Sequence, residues 1–209
     1  SWRVICCAMR HHTMEQNLEV FRTATEYLDR GVCAVDLAGD EASYPASQFT
    51  DLFAEARALG IPFTIHAGEC HSTENVRTSI EMGAKRIGHG IAMKEDPELM
   101  KLAAERDVGI EMCPCSNFQT KAVQEGEEYP LALFWEQGLL VTVNTDNRTV
   151  SQTSETRELK MALELMEASQ KPVEDEKTFC RKLMENSIRT AFLPEEEKER
   201  LRHILEKFS

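Results

Sequence analysis

The chain has 209 residues, of which 42% are hydrophobic and 29% charged, as is typical of a folded globular domain. Its length suits one domain with a substantial core, and no run approaches the roughly 20 apolar residues that a membrane-spanning helix needs. The 24 basic and 36 acidic residues give a net charge of −12 without a basic stripe, which argues against a nucleic-acid partner.

Short apolar runs alternate along the chain with longer amphipathic segments. The runs predict buried β-strands, at residues 2–9, 32–37, 61–66, 85–88, 109–113 and 139–144. The segments carry apolar side chains at helical spacing, and several end at a glycine. They predict helices, at residues 14–29, 46–59, 72–82, 97–106, 130–137, 154–168, 175–191 and 194–207. The last helix presents a stripe for docking on the core, made of Leu201, Ile204, Leu205 and Phe208.

The order of these elements is strand then helix, six times over, followed by a helical tail. The strands are nearly all apolar rather than alternating, which predicts a parallel sheet covered by helices. Two architectures fit this order, a doubly wound open sheet and a (β/α) barrel. No G-x-G-x-x-G motif follows the first strand, which weakens the case for a nucleotide-binding open sheet.

Polar residues that can bind metals or move protons follow each strand. They are Arg10-His11-His12, Asp36 to Glu41, His66 to Glu69, Gly88-His89-Gly90, Cys113 to Asn117, and Asn144 to Asn147. In a barrel the carboxyl ends of all strands surround one mouth, whereas in an open sheet only the switch point holds a ligand. The recurrence of such residues therefore favours the barrel, with one site at its mouth.

Four of these residues suggest a reaction when they are taken together. Alone, His66 could be a core histidine, Asp146 a turn cap and Glu69 a helix-entry residue, while His89 stands between two glycines that allow close approach. Jointly, a His and an Asp can bind a catalytic divalent ion, a Glu can shuttle protons, and a second His can orient or deprotonate the attacking water. The combination predicts metal-assisted hydrolysis.

The other histidines and the cysteines have plainer interpretations. His11 and His12 are adjacent, so on a strand they would point to opposite faces and could not chelate one metal. The seven cysteines include no C-x-x-C pair, which predicts free thiols in a reducing, cytoplasmic setting. Cys113 and Cys115 are separated by one residue, which is not a structural-zinc spacing.

Four motifs, in chain order, resemble the adenosine deaminase family of the metal-dependent amidohydrolase superfamily. They are DLAGDE at 36–41, HAGE at 66–69, GHG at 88–90 and NTD at 144–146. The resemblance implies a (β/α)8 barrel with one zinc ion at its mouth. It also implies hydrolysis of adenosine, and of deoxyadenosine, to inosine and ammonia.

The resemblance also implies residue roles. His66 and Asp146 would be zinc ligands. Glu69 would protonate purine N1 as hydroxide attacks C6, and His89 would orient and deprotonate the attacking water.

Two further residues would bind the purine. The backbone N–H of Gly39 would meet N3. Asn147 stands where many members of the family carry a second aspartate, and its NH2 group can donate to N7. This substitution leaves adenine, a modified adenosine or AMP as alternative substrates.

The sequence departs from the family's pattern in one larger respect. The family takes two more zinc ligands from a His-x-His motif at the end of its first strand, and this sequence has no His-x-His. Its six predicted strands correspond to strands three to eight of the family's eight. We therefore expect residues 1–209 to form a single incomplete (β/α)8 barrel, the C-terminal part of such an enzyme. It would need the missing segment or self-association and have little activity alone; an inactive relic is the alternative.

Overall fold

The computed structural model describes residues 2–28, 30–173 and 175–207, and within them parallel β-strands form the centre of the fold. The strands are β1 (Val4–Met9), β2 (Val32–Ala38), β3 (Thr64–Ala67), β4 (Arg86–His89), β5 (Gly109–Met112) and β6 (Leu140–Val143). The helices are α1 (Met14–Thr25), α2 (Thr50–Ala58), α3 (Thr73–Glu81), α4 (Pro97–Glu105), α5 (Pro114–Gln119), α6 (Leu131–Glu136), α7 (Arg148–Ser151), α8 (Glu155–Ala168), α9 (Glu176–Thr190) and α10 (Glu195–Glu206). Each predicted strand and helix is present, with bounds shifted by a few residues.

The strands lie side by side in chain order. β1 pairs with β2, and β3 to β6 form a continuous four-stranded sheet, all parallel. Val35 of β2 forms a bridge with Phe63, just before β3, and this bridge joins the two sheets. A doubly wound sheet reverses its strand order at a switch point, whereas a barrel wall keeps one direction. The order found here is that of a barrel wall, so the predicted incomplete barrel is confirmed.

The register of the sheet separates an apolar face from a polar one. One row across β3 to β6 is apolar and fully buried, and consists of Ile65, Ile87, Ile110 and Val141. The next row consists of His66, Gly88, Glu111 and Thr142. Successive residues of a strand point to opposite faces, so the apolar row faces the helices and the polar row faces the barrel interior.

The final helices cover the amino-terminal end of the strands. Asn186 of α9 donates its side-chain amide to the carbonyl of Val141, at 2.8 Å. The guanidinium of Arg86, at the start of β4, lies 4.1 Å from the ring centre of Phe192. Arg3 pairs with Glu197, which ties the residue before β1 to α10. The helical tail therefore contacts both the first strand, through Arg3 just before it, and the last strand, β6.

Local signals explain where several helices begin and why others escape prediction. Thr13 forms a capping box with Gln16 at the start of α1, and Asp96 caps α4 with a proline at its first position. The short helices α5 and α7 and a 3-10 turn at Ile91–Glu95 are too brief to show a periodicity. The predicted helix 46–59 begins as a 3-10 turn at Ala46–Phe49. The predicted positions Asp29 and Phe208 lie outside the described residues.

The argument from strand alternation does not apply to His11 and His12, because the strand ends before them, at the predicted residue. β1 ends at Met9, so His11 and His12 lie in the turn that follows it and not on a strand. Their rings contact each other edge to face, with centroids 4.5 Å apart, instead of pointing to opposite faces. The chain has already turned away at Arg10, so the alternation of a strand does not apply.

No helix in the described parts of the chain combines the length and the apolar character that crossing a membrane requires.

Candidate active site

His66 ends the polar row of the barrel interior, where Asp36 holds its ring. The ring Nδ1 lies 3.0 Å from one carboxylate oxygen of Asp36 and 3.1 Å from the other. Asp36 is buried on β2, and its Oδ1 also accepts from the N–H of Leu37 at 2.7 Å. The carboxylate fixes the Nδ1–H tautomer and leaves Nε2 for a ligand, as in metal-bound histidines.

His89 lies beside His66 at the end of β4. The two ring centroids are 5.1 Å apart, and the Nε2 of His89 is 3.6 Å from the Oε2 of Glu69. The Nδ1 of His89 lies 2.9 Å from the side-chain amide nitrogen of Asn117. Asn117 also accepts from the hydroxyl of Tyr129, at 2.9 Å. His89 is therefore held from behind while its Nε2 faces the mouth.

The chain after β3 is held by a buried carboxylate. Glu41, which is only 3% exposed, accepts hydrogen bonds from three consecutive N–H groups, those of Gly68, Glu69 and Cys70. The buried guanidinium of Arg10 donates to the carbonyl of His66 at 2.7 Å. These two charged side chains fix the backbone that carries both His66 and Glu69.

The residues after β5 and β6 are held in a similar way. Ser116 donates from its hydroxyl to the Oδ2 of Asp146 at 2.7 Å. The fully buried Glu158 of α8 accepts from the N–H of Cys115 at 3.1 Å and from the hydroxyl of Thr153. Ser116 therefore orients Asp146, and Glu158 holds both the loop after β5 and the loop after β6.

Two of the predicted site residues have an unusual backbone conformation. His89 has φ 66° and Asp146 has φ 48°, both in the left-handed region. Non-glycine residues adopt this region uncommonly, and strain of this kind clusters at functional sites. Both residues are therefore held by the surrounding structure in conformations that an isolated strand end would not favour.

Glycines occupy two positions near the site that other residues would not fit, one because of space and one because of backbone conformation. Gly88 lies in register between His66 and Glu111, and a Cβ there would come within 3.2 Å of the Cγ of His66. Gly39 has φ +111°, a conformation that L side chains rarely adopt, although a Cβ there would only reach ordinary contact with the backbone nitrogen of Arg10, at 3.5 Å. The ring of His66 occupies space that any other residue at position 88 would fill.

Asn147 is exposed next to Asp146 and caps α7. Its side-chain oxygen accepts from the N–H of Val150 at 3.0 Å. The cap uses the oxygen and leaves the NH2 group as the donor available to a ligand. This geometry is compatible with the predicted purine contact, which stays a prediction, as does the contact from Gly39.

Burial and neighbouring charges shift the pKa values of the site. Burial opposes protonation of His66, but the charge and hydrogen bond of Asp36 outweigh it and raise the pKa of His66 to about 9. Burial, together with the charge of His66, lowers the pKa of His89. Burial raises the pKa of Tyr129 well above its ordinary value, so its hydroxyl keeps its proton. The negative charge of Asp146 contributes a rise to the pKa of both histidines, so Asp146 lies close enough to interact with both.

The residues present fit part of a zinc site. Imidazole and carboxylate are zinc ligands, and His66 and Asp146 each keep one donor atom that its supporting partner does not use. A catalytic zinc site has three protein ligands, and the described residues hold no cluster of three or more His, Cys, Asp or Glu able to bind a metal. Because a metal-bound imidazole is neutral, a metal at His66 would have to displace a proton.

The sequence predicts His66, Glu69, His89 and Asp146 as site residues but not the residues that support them. Asp36 and Glu41 belong to the DLAGDE motif at 36–41, which is the only sequence feature that pointed to a role for them. Tyr129 and Glu158 are 12 and 43 residues from their partners, and no sequence pattern indicated those contacts.

Comparison with known proteins gives a consistent result. The family model for adenosine deaminase matches residues 1–208. An adenosine deaminase from Enterococcus faecalis is 42% identical over 197 residues, covering 94% of this chain and 56% of the relative. One from Haemophilus ducreyi is 40% identical over 209 residues, covering 98% of this chain and 59% of the relative. The chain thus spans less than two thirds of the length of these relatives.

Solved structures have the same fold. The N6-methyl-AMP deaminase of Arabidopsis thaliana superposes with a TM-score of 0.87 at 24% identity, covering 99% of this chain and 59% of that one. An adenine deaminase from Arthrobacter aurescens gives 0.83 at 23% identity, covering 99% and 61%. An amidohydrolase from Burkholderia ambifaria with bound Zn gives 0.82 at 22%, covering 98% and 56%.

Proposed function

The chain belongs to the adenosine deaminase family, and from that premise we propose that it carries the larger part of the active site of a zinc-dependent aminohydrolase. The reaction proposed is the hydrolysis of adenosine, and of deoxyadenosine, to inosine and ammonia. The observation that supports it most is the cluster of His66, His89 and Glu69, with Asp36 and Asn117 behind the two rings.

Each member of the cluster has a distinct task in this proposal. Glu69, 25% exposed at the mouth, delivers a proton to purine N1, because addition at C6 would otherwise place a negative charge on the ring. His89 orients the attacking water from its Nε2 side. Gly39 and Asn147 bind the purine edge through an N–H and an NH2 group.

A zinc ion would be shared between this chain and a segment that it lacks. His66 and Asp146 are the ligands proposed here, and two histidines would come from the preceding part of the enzyme. When bound, zinc lowers the pKa of water to about 7 and so supplies a nucleophile at neutral pH. The bound Zn of the Burkholderia ambifaria amidohydrolase supports this choice of metal.

The partner proposed is a small purine, and the compartment is a reducing one. The cysteines of the described residues are free thiols, which supports a cytoplasmic setting. Adenine or an N6-substituted AMP is the alternative substrate, since relatives of the same fold are named for them. AMP would need a phosphate contact, for which Arg148 and Lys121 are the exposed basic residues near the mouth.

The test begins with denaturing mass spectrometry of the natural protein. A second peptide that contains His-x-His is expected beside the 209-residue chain, or joined to it in one longer chain. That complete material should contain one zinc ion and turn over adenosine faster than adenine or AMP. Glu69→Gln should abolish turnover and leave the zinc content unchanged, which makes it the matched control.

Two outcomes would contradict the proposal. The first is turnover of adenosine by the isolated 209-residue chain at an ordinary enzymatic rate, on the order of 10 per second, because two ligands would then be sufficient. The second is complete, zinc-loaded material that deaminates none of these purines, which would favour the inactive relic.

A further inference from the structure

Asn117 connects His89 to the interior of the protein through a chain of buried hydrogen bonds. Its side chain is fully buried, and Tyr129 and His89 are each only 2% exposed. Its Oδ1 accepts from the hydroxyl of Tyr129 at 2.9 Å and from the N–H of Cys113 at 3.3 Å. Its amide nitrogen lies 2.9 Å from the Nδ1 of His89. Water has little access to compete with these bonds.

The orientation of the Asn117 amide follows from its partners. The N–H of Cys113 can only donate, so the atom facing it must be an acceptor, which is the Oδ1. Rotating the amide by 180° would place its NH2 against that N–H and leave two buried donors in contact, at a cost of about 1–3 kcal/mol. The NH2 group therefore faces His89.

This orientation determines which ring nitrogen of His89 carries the proton. An NH2 group has donors only, so the Nδ1 that it contacts must offer a lone pair. A neutral imidazole has a single N–H, which then lies on Nε2, the atom 3.6 Å from the Oε2 of Glu69. We propose that Asn117 is a positioning residue that holds His89 in its Nε2–H tautomer.

Hydrogen bonds also fix the backbone on both sides of Asn117. The N–H of Asn117 donates to the carbonyl of Cys113 at 2.9 Å, within the first turn of α5, and its own carbonyl accepts from Val123 at 3.2 Å. Glu158 fixes the same turn through the N–H of Cys115. These bonds fix the backbone, and the two bonds to the Oδ1 fix the amide, so the orientation of Asn117 determines the tautomer of His89.

The consequence for catalysis rests on the proposed function. A ring with its proton on Nε2 faces the barrel mouth as a hydrogen-bond donor, not as a proton acceptor. His89 then orients and stabilises an oxygen nucleophile but does not deprotonate it, which differs from the role that the sequence resemblance implies.

The test measures the tautomer directly by NMR of the chain with 15N-labelled histidine. The two-bond proton–nitrogen couplings distinguish a protonated ring nitrogen from one that carries a lone pair. We expect His89 to show a lone pair on Nδ1 in the unchanged chain at pH 8. In Asn117→Asp, which has the same shape but two acceptor oxygens, we expect a proton on Nδ1.

Tyr129→Phe is the matched control, because it removes one donor to the Oδ1 but leaves the N–H of Cys113 in place. It should keep the lone pair on Nδ1. In the complete enzyme, Asn117→Asp should lower kcat about 100-fold with KM changed less than threefold, whereas Tyr129→Phe should lower kcat less than tenfold.

Two results would overturn the inference. One is a protonated Nδ1 in the unchanged chain, and the other is a folded Asn117→Asp variant that keeps the original tautomer, because Asn117 would then have only a structural role. If Asn117→Asp does not fold, the unchanged chain and Tyr129→Phe decide the question. The expected tautomer in material that deaminates nothing would count against the proposed function but not against this inference.

Discussion

The β3–β6 half of the barrel wall and the β1–β2 half differ in how they are held. β3 to β6 form one continuous ladder, and the row from Ile65 to Val141 is completely buried beneath helices. β1 and β2 form a separate pair, and within the described residues one isolated bridge, from Val35 to Phe63 just before β3, links this pair to the larger sheet. Along the outer strand, Val4 is 41% exposed, and Trp2 before it is 76% exposed.

Side chains, more than the ladder, join the two halves. Asp36 orients His66, Arg10 donates to its carbonyl, and Glu41 binds the three N–H groups after β3. The groups proposed to act on substrate lie mostly in the β3–β6 half, but Asp36 and Glu41, which hold His66 and the chain after β3, come from the β1–β2 half. The geometry of the site therefore depends on a buried polar junction between the halves.

The largest effect is expected from breaking that junction with Glu41→Gln. The amide that replaces one carboxylate oxygen has donors facing backbone N–H groups, so buried donors would be left unpaired. We expect the free energy of unfolding in urea to fall by about 3 kcal/mol, with turnover in the complete enzyme falling as Glu69 loses its support.

The matched control is Glu55→Gln, which removes a partly exposed ion pair with Arg22. It should change the free energy of unfolding by less than about 0.5 kcal/mol. Equal effects from the two variants would mean that Glu41 is no special link between the halves.

A smaller effect is expected from charging the open edge with Val4→Lys. An uncovered parallel strand invites pairing with other chains, and an edge lysine opposes it. We expect self-association of the isolated chain, measured by sedimentation velocity, to weaken about tenfold (~1.4 kcal/mol), with the free energy of unfolding nearly unchanged.

Val150→Lys, at a 73% exposed position on α7, changes the charge equally but lies away from this edge. If Val150→Lys weakens association as much as Val4→Lys does, net charge and not the strand edge is responsible.

The smallest effect on stability is expected from chemical labelling of Cys7, which probes the β1–β2 half without a substitution. Cys7 is exposed as a residue, but partial desolvation of its thiol and the charge of Asp36, whose Oδ2 lies 3.8 Å from the Sγ, raise the pKa of Cys7 to about 12. Only the thiolate reacts, so alkylation at pH 8 should be roughly 1,000-fold slower than in the urea-denatured chain. The rate should rise tenfold per pH unit until about pH 12. Peptide mass spectrometry measures it, and fast labelling of the native chain at pH 8 would show that Cys7 is not packed against Asp36.

The sequence predicted the parallel order of strands because apolar runs and glycine stops are local signals. It also predicted His66, Glu69, His89 and Asp146, because the carboxyl ends of parallel strands converge. The supports from Tyr129 and Glu158 could not be predicted, because they arise from tertiary contacts across loops with no characteristic pattern. Similarly, the positive φ angles of His89 and Asp146 could not be predicted, because His and Asp, although enriched in that region among non-glycine residues, adopt it only rarely.

Those two φ angles bear on how this protein could be made more heat-resistant. Each left-handed non-glycine residue carries on the order of 1 kcal/mol of backbone strain. Glycine at position 89 or 146 would relieve that strain but would remove the side chain that the proposed chemistry needs. At the mouth of the barrel, two residues that the proposed chemistry needs therefore lower the folding stability. Selection for thermostability is expected to leave these two positions unchanged and to act on helix surfaces and on the exposed edge of β1.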